Sequence, residues 1–399
     1  MEPDDEPQPH SSTSRLRRAL TLGALSVLVL ALASLSYLHP GWSLIPAGAA
    51  ANNSNVAGSR HLAAVDFVTP TIGWVVVEQQ PRDFVVLHTS DAGETWVRQL
   101  AGYDAEMSEY LHFFDASHGV VAILGTQAAL YRTSNGGHTW MRQSLISADG
   151  LAISADFIDP DHGWLLAEAS TEGEALLRTD DGGKTWVELG TPVAFSDWAY
   201  RVAFSDRANG WLYSRSSGLY AYRSGDGGSS WQRIALPGPP GGRPNADGVG
   251  VSVEARPTKG AGVSVTVVTG RPAILLQPLG ASATEDSPRQ NEFQLSSSDG
   301  GRSWKPFSLP AADGAIVYLD ALNWWWIGPG VQAKSTDAGS TWSPIRALLV
   351  PPPLPDTVQM IDAAHVWFGA MAGTRPLVER TDDGGVSWTM LLLPAGPVG

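Results

Sequence analysis

Short apolar runs, Phe84-Val85-Val86-Leu87 being typical, alternate along most of the chain with Gly-, Asp- and Ser-rich turns. Runs of that length bounded by turn residues predict strands, not helices. One stretch breaks the pattern: Ala19 to Leu38 carries no charged residue. At ~1.5 Å rise per residue it is long enough to cross a ~30 Å hydrocarbon layer as a helix. Arg15, Arg17 and Arg18 precede it, which places residues 1–18 on the cytoplasmic side and the remainder outside. A cleaved signal peptide is the alternative, with Ala47-Gly48-Ala49 offering a small-residue cleavage site. Either way the folded part is exported, after a linker at 39–59.

From residue 60 onward an octapeptide recurs with the form Ser/Thr-x-Asp-x-Gly-x-Ser/Thr-Trp. Its acidic or amide position falls at Asp91, Asn135, Asp181, Asp226, Asp299, Asp337 and Asp383. Its tryptophans are Trp96, Trp140, Trp186, Trp231, Trp304, Trp342 and Trp388. Successive acidic positions are separated by 44, 46, 45, 73, 38 and 46 residues. A period of ~40–50 residues is characteristic of propellers and solenoids.

The octapeptide reads as a hairpin corner. Its Asp or Asn side chain can accept bonds from backbone N–H groups just ahead. The Gly two positions on supplies a positive φ, and the Trp opens the next strand by covering the turn. A weaker signal lies upstream of most copies: Asp66-Phe67 leads to Gly73-Trp74, Asp156-Phe157 to Gly163-Trp164, and Phe204 to Gly210-Trp211. The two signals give four strands per repeat. Seven such repeats over 60–399 predict an all-β, seven-bladed propeller of four-stranded blades, preceded by one transmembrane helix. The long interval enlarges the fifth blade at about 238–296.

With these corners the chain resembles the Asp-box, or BNR, repeat propellers. The third repeat, Asp156-Phe157, His162-Gly163-Trp164 and Arg178 to Trp186, is most similar to the photosystem II stability and assembly factor-like bacterial propellers. The resemblance implies a scaffold type. It does not fix a ligand, because related propellers include sialidases, endoglucanases, sortilin-like receptors and assembly factors.

Composition narrows the chemistry. A net charge of −14 makes nucleic acid an unsuitable partner. The absence of Cys removes disulfides, thiolate metal sites and Cys nucleophiles. Most of the sixteen Trp belong to the repeat signals, so they read as fold. The corner aspartates offer one or two acids each, too few oxygens for a calcium loop. His118, His162 and His365 recur at one turn position in separate repeats and cannot share a metal. No cofactor, metal or catalytic set is expected. Sialidase chemistry is disfavoured because no Arg-Ile-Pro precedes the first octapeptide.

Just before the octapeptides stand His88, Arg132, Arg178, Arg223, Ser296, Lys334 and Arg380, six of the seven being basic. They form either a positive ring for an acidic peptide or strand-end partners of neighbouring turns. Trp324-Trp325-Trp326 alternates faces along a strand, as core or as an exposed aromatic platform. Irregular segments mark the face opposite the corners, where loops carry function. There Glu78, Asp83, Asp104, Glu106, Glu109, Glu168, Glu172 and Glu174 come from the first three blades, and Arg215, Arg243, Arg271 and Arg289 from the next two. Arg215, Arg243, Arg271, Asp104, Glu106 and Glu109 are the candidate partner-binding residues. The expected function is a membrane-tethered, extracytoplasmic, non-catalytic scaffold for a protein or peptide. The alternative is a glycoside hydrolase or carbohydrate-binding propeller using the loop carboxylates.

Overall fold

The computed structural model describes residues 42–46, 60–79, 83–103, 108–125, 127–145, 150–169, 173–193, 197–216, 218–238, 251–257, 263–269, 292–310, 315–328, 331–345 and 357–394. The expected leader at 1–18 and apolar span at 19–38 lie outside them, as does most of the enlargement at 238–296. The chain divides into two units, Met1–Ser43 and Leu44–Gly399. All elements of the described residues are strands, twenty-nine in number. Part of the segment expected as linker is itself extended, at Trp42–Pro46.

Each repeat folds as an antiparallel meander. In the first, Arg60–Phe67, Gly73–Gln79, Asp83–Thr89 and Val97–Tyr103 pair in chain order. The repeats follow one another at 60–103, 108–144, 150–190, 198–235, 251–307, 315–345 and 359–392. Counted as hydrogen-bonded sheets, however, the propeller has six blades and not the expected seven. The reason is a strand pairing between the fourth and fifth repeats. Ser214, Arg215 and Ser216 end the second strand of the fourth repeat and bond to Val253, Ser252 and Val251 of the fifth. One eight-stranded sheet results, with both repeats retaining their own corners.

Aromatic side chains lock neighbouring repeats together. Trp74 lies flat on Phe113 of the second repeat, with centroids 3.4 Å apart. Trp164 does the same on Phe204 of the fourth at 3.6 Å. The octapeptide Trp then meets the Phe of its own repeat edge-on, as Trp140 meets Phe113 at 6.0 Å and Trp231 meets Phe204 at 6.1 Å. Each such Phe therefore has one face and one edge covered, an arrangement favoured by the ring quadrupoles. The glycine of the Gly-Trp pair makes room: a Cβ on Gly73 would come within 2.3–2.6 Å of Phe67 ring carbons.

The same contacts close the ring. Trp367 of the last repeat stacks on Phe67 of the first, and both join one core cluster with Val75, Leu87, Trp96 and Val378. Gln359 bonds the backbone N–H and carbonyl of Phe67 and the Asp66 carboxylate. Arg60 reaches back to the carbonyl of Pro394. Trp324 and Trp326 are buried to 1% exposure and Trp325 to 3%. Trp324 packs toward the fifth repeat and Trp325 toward the seventh. The triplet is therefore core, which overturns the reading as an exposed platform.

Candidate functional site

The octapeptide corners share one geometry in all seven copies. The leading Thr or Ser hydroxyl, at Thr89, Thr133, Thr179, Ser224, Ser297, Ser335 and Thr381, accepts the N–H four residues on at 2.6–2.9 Å. The Asp or Asn Oδ1 accepts the N–H of the second Ser/Thr at 2.8–3.0 Å. In the six Asp copies, Oδ2 accepts that residue's hydroxyl at 2.5–2.7 Å. Asn135 donates instead, through Nδ2 to Thr139 Oγ1 at 2.9 Å. These bonds favour the charged carboxylate. They hold Asp91, Asp226 and Asp337 below the usual range, and Asp383 at about 2. Two residues take positive φ, not the single glycine expected. The residue before that glycine is Gly in five copies and Ala92 (61°) or Ala338 (58°) in the others.

The basic residues before the corners serve the fold. Arg132 donates to the carbonyls of Asp181, Gly182 and Pro160 in the next repeat's turns. Arg380 donates to the Ala92 carbonyl at 2.7 Å across the closing junction. Lys334 lies 4.4 Å over the Trp325 ring. His118, His162 and His365 bond Asp115, Asp159 and Asp362 of their own turns at 2.7–3.1 Å. Among the described residues no group of three His, Asp or Glu can hold a metal ion.

A titratable cluster lies where the first strands of repeats one to four adjoin. Asp66 accepts the Phe113 N–H and contacts His112 Nδ1 at 3.3 Å. Asp156 accepts the Phe204 N–H at 2.7 Å. Burial pushes Asp156 up to about 6, against the pull of that N–H and of the His112 and Arg201 charges. Burial opposes the charged form of His112, but the bond to Asp66 and the Asp66 and Asp156 charges raise it overall. Burial and then the Asp156 charge push Tyr110 well above the phenol range. These carboxylates couple adjacent repeats and are structural in their contacts.

Of the candidate partner-binding residues, Arg243, Arg271, Asp104 and Glu106 lie outside the described residues. Arg215 and Glu109 sit in strands, Arg215 opposite Trp198 and Ser252, and Glu109 opposite Ile123. Of the other carboxylates, Glu168 and Glu174 stand directly opposite each other in the third repeat. Glu174 is 4% exposed, and burial raises its carboxyl, with the Glu168 charge adding to the effect.

A cleft of about 510 Å³ lies between the third and fourth repeats. Leu189, Pro192 and Val193 form one wall, and Tyr222, Trp231 and Arg233 the other. Beside it the Asp197 carboxylate, with no exposed side-chain surface, takes bonds from Tyr220 and Tyr222 hydroxyls and from Arg233. Neither Arg233 nor Asp197 was singled out from the sequence. The available signals were the Tyr220-x-Tyr222 pair and an Arg two residues after the corner Trp, which Arg98 and Arg142 repeat.

Residues 143–261 match the family model of the photosynthesis system II assembly factor YCF48, a segment that includes the whole cleft. Among solved structures, one described as YCF48 bound to D1 peptide is 18% identical, with 83% of this chain and 88% of that chain aligned at a TM-score of 0.47. YCF48 from Cyanidioschyzon merolae is 17% identical, covering 88% of each chain at a TM-score of 0.40. The GH74 xyloglucanase from Xanthomonas campestris is 15% identical, covering 82% of this chain and 59% of that one at a TM-score of 0.46. No curated protein matches the chain. This chain is thus an Asp-box repeat propeller similar to the YCF48 assembly factors.

Proposed function

We propose that the protein is a non-catalytic scaffold that binds a protein or peptide, tethered outside the cytoplasm by its N-terminal apolar segment. One observation carries the reading: the segment matching an assembly-factor family encloses the cleft between repeats three and four. Around that cleft the corner hydroxyls and carboxylates are consumed by the turns themselves. Ser230 and Ser229 bond Asp226, and the Trp231 Nε1 bonds the Gly228 carbonyl. What remains is a trough of mixed lining, with Thr191 beside Leu189 and Trp231 and with one cation, a surface suited to side chains of an extended chain. The tether is supported by the uncharged run from Ala19 to Leu38 behind three arginines. Crosslinking of the full chain in its own membranes should yield a discrete adduct that Thr191→Trp, which fills the cleft from an exposed position, abolishes. Adducts unchanged by that substitution would refute the cleft as the docking surface.

A second reading rests on Glu168 and Glu174. Cross-strand neighbours are ~5 Å apart at Cβ, and burial raises the Glu174 carboxyl; a pair of carboxyl groups, one of them raised, is what glycoside hydrolysis uses. It requires release of reducing sugar from xyloglucan, β-glucan or a sialoside, lost in Glu174→Gln. No release from any of the three removes it.

A further inference from the structure

Arg233 is held from several sides. It stands opposite Tyr222 in register on the outer strand of the fourth repeat. Its Nε donates to the Tyr222 hydroxyl at 3.3 Å, and one terminal nitrogen approaches Asp197 Oδ2 at 3.4 Å. The guanidinium carbon lies 4.6 Å over the Tyr220 ring and 5.8 Å from that of Tyr222. Two rings and a buried carboxylate therefore fix a side chain that otherwise samples many rotamers, so its ordering cost on binding is met in advance.

The rest of the guanidinium is open. Its side chain is 47% exposed while the Asp197 side chain is wholly enclosed. Of the five N–H donors of an arginine, these contacts use two. The others border a cleft whose walls include Leu189, Thr191, Pro192, Val193 and Trp231. With Ser229, Ser230 and the Trp231 Nε1 already committed to the corner, Arg233 is the charged donor that the cleft offers. A planar fork of donors beside an apolar wall matches a carboxylate flanked by an apolar residue. On a chain of net charge −14, a locally fixed cation also selects where an anion can settle.

We propose that the cleft between repeats three and four is a carboxylate-reading subsite, in which Arg233 grips a carboxylate of an extended peptide while the half-buried Leu189 and Trp231 cover the apolar residue beside it. The proposal rests on the peptide-binding reading given above and adds the chemistry that the peptide must carry. An acidic side chain and a chain-terminal carboxylate present the same group, so the test separates them.

Four fluorescein-labelled apolar hexapeptides, identical except for two features, serve as probes for the full chain. One has an internal Glu and an amidated end, one an internal Gln and a free carboxylate, one both acids, and one neither. Fluorescence anisotropy should show at least one acid-bearing peptide binding about 10-fold or more tighter than the peptide with neither acid. The tighter single-acid peptide identifies the source of the carboxylate. Arg233→Gln should bring all four within about 2-fold of one another, and Arg233→Lys should fall between, because a point charge replaces the fork. Arg142→Gln is the control. It removes the same Arg–Tyr pair in the second repeat, where Arg142 bonds Tyr131 at 3.2 Å, and should leave binding unchanged. Loss of binding in Arg233→Gln counts only with a circular-dichroism melt like that of the parent, and Arg233→Lys supplies the reading if Gln unfolds the chain. Equal affinity for acid and amide peptides would overturn the subsite while leaving peptide binding intact. No saturable binding of any probe would overturn both.

Discussion

Trp367 in the last repeat stacks on Phe67 in the first, with centroids 4.5 Å apart and planes 17° from parallel. The pair reproduces across the closing seam what Trp74 and Phe113 do between the first two repeats. Closure is thus one more copy of the internal junction, made between chain ends nearly 300 residues apart. Trp367→Ala should cost about 3–5 kcal/mol, as for other buried Trp truncations. Urea melts of Trp367→Ala and of the internal Trp74→Ala should agree within about 1 kcal/mol. A much smaller loss at the seam would mean that the ring is not held there.

Ala92 and Ala338 occupy a left-handed conformation that the other five corners give to glycine. A Cβ in that region costs about 1 kcal/mol. Ala92→Gly and Ala338→Gly should therefore leave stability unchanged or raise it by up to about 1 kcal/mol, despite the larger unfolded-state entropy of glycine. Thermal melts of the two single variants and the double variant check this.

Asn135 does in the second corner what Asp does in the others. Asp181→Asn should accordingly be mild. Asp181→Ala, which strips the acceptors from the Thr185 N–H and hydroxyl, should lose about 1–3 kcal/mol. Equal losses in the two variants would show that charge, and not corner geometry, is what the position supplies.

The pH dependence of stability should have two limbs. The corner aspartates are held low in the folded state, so their contribution is present above the unfolded value of about 3.8 and is lost as pH falls toward the folded value, about 2 for Asp383. Asp156 is raised to about 6, and its contribution is present below about 3.8 and is lost as pH rises through about 6. His112, also raised, contributes below its unfolded value of about 6.5 and loses this as pH rises through its folded value. Tm should therefore peak on the acid side of neutrality. Asp156→Asn keeps an acceptor for the Phe204 N–H and should flatten the decline between about pH 4 and 7. An unchanged alkaline limb would contradict the placement of Asp156.

What the sequence revealed and what it concealed follow from the range of the interactions. A corner is completed within eight residues, so Thr179, Asp181, Gly183 and Thr185 are readable together and the propeller with them. The merging of the fourth and fifth repeats depends on Ser214–Ser216 meeting Val251–Val253 across an insertion, a register that no local pattern encodes. The cleft is likewise assembled from afar. Pro192 and Val193 follow one outer strand, Asp197 precedes the next first strand, and Arg233 arrives on the outer strand of the fourth repeat. The polarised charge of the loops drew attention to Arg215 and Glu109, which lie in strands, while the arginine fixed by two tyrosines shares its place after the corner Trp with Arg98 and Arg142 and so reads as part of the repeat.

The central claim is that this cleft receives the partner. Photo-crosslinking reads it most directly, with benzoylphenylalanine placed at the exposed cleft residue Thr191 and, as a control, at the exposed outer-strand residue Val187, each in the full chain within its own membranes. The account expects a single adduct from position 191, absent from position 187 and lost when Arg233→Gln is added. The same adduct from both positions, or none from 191, would contradict it.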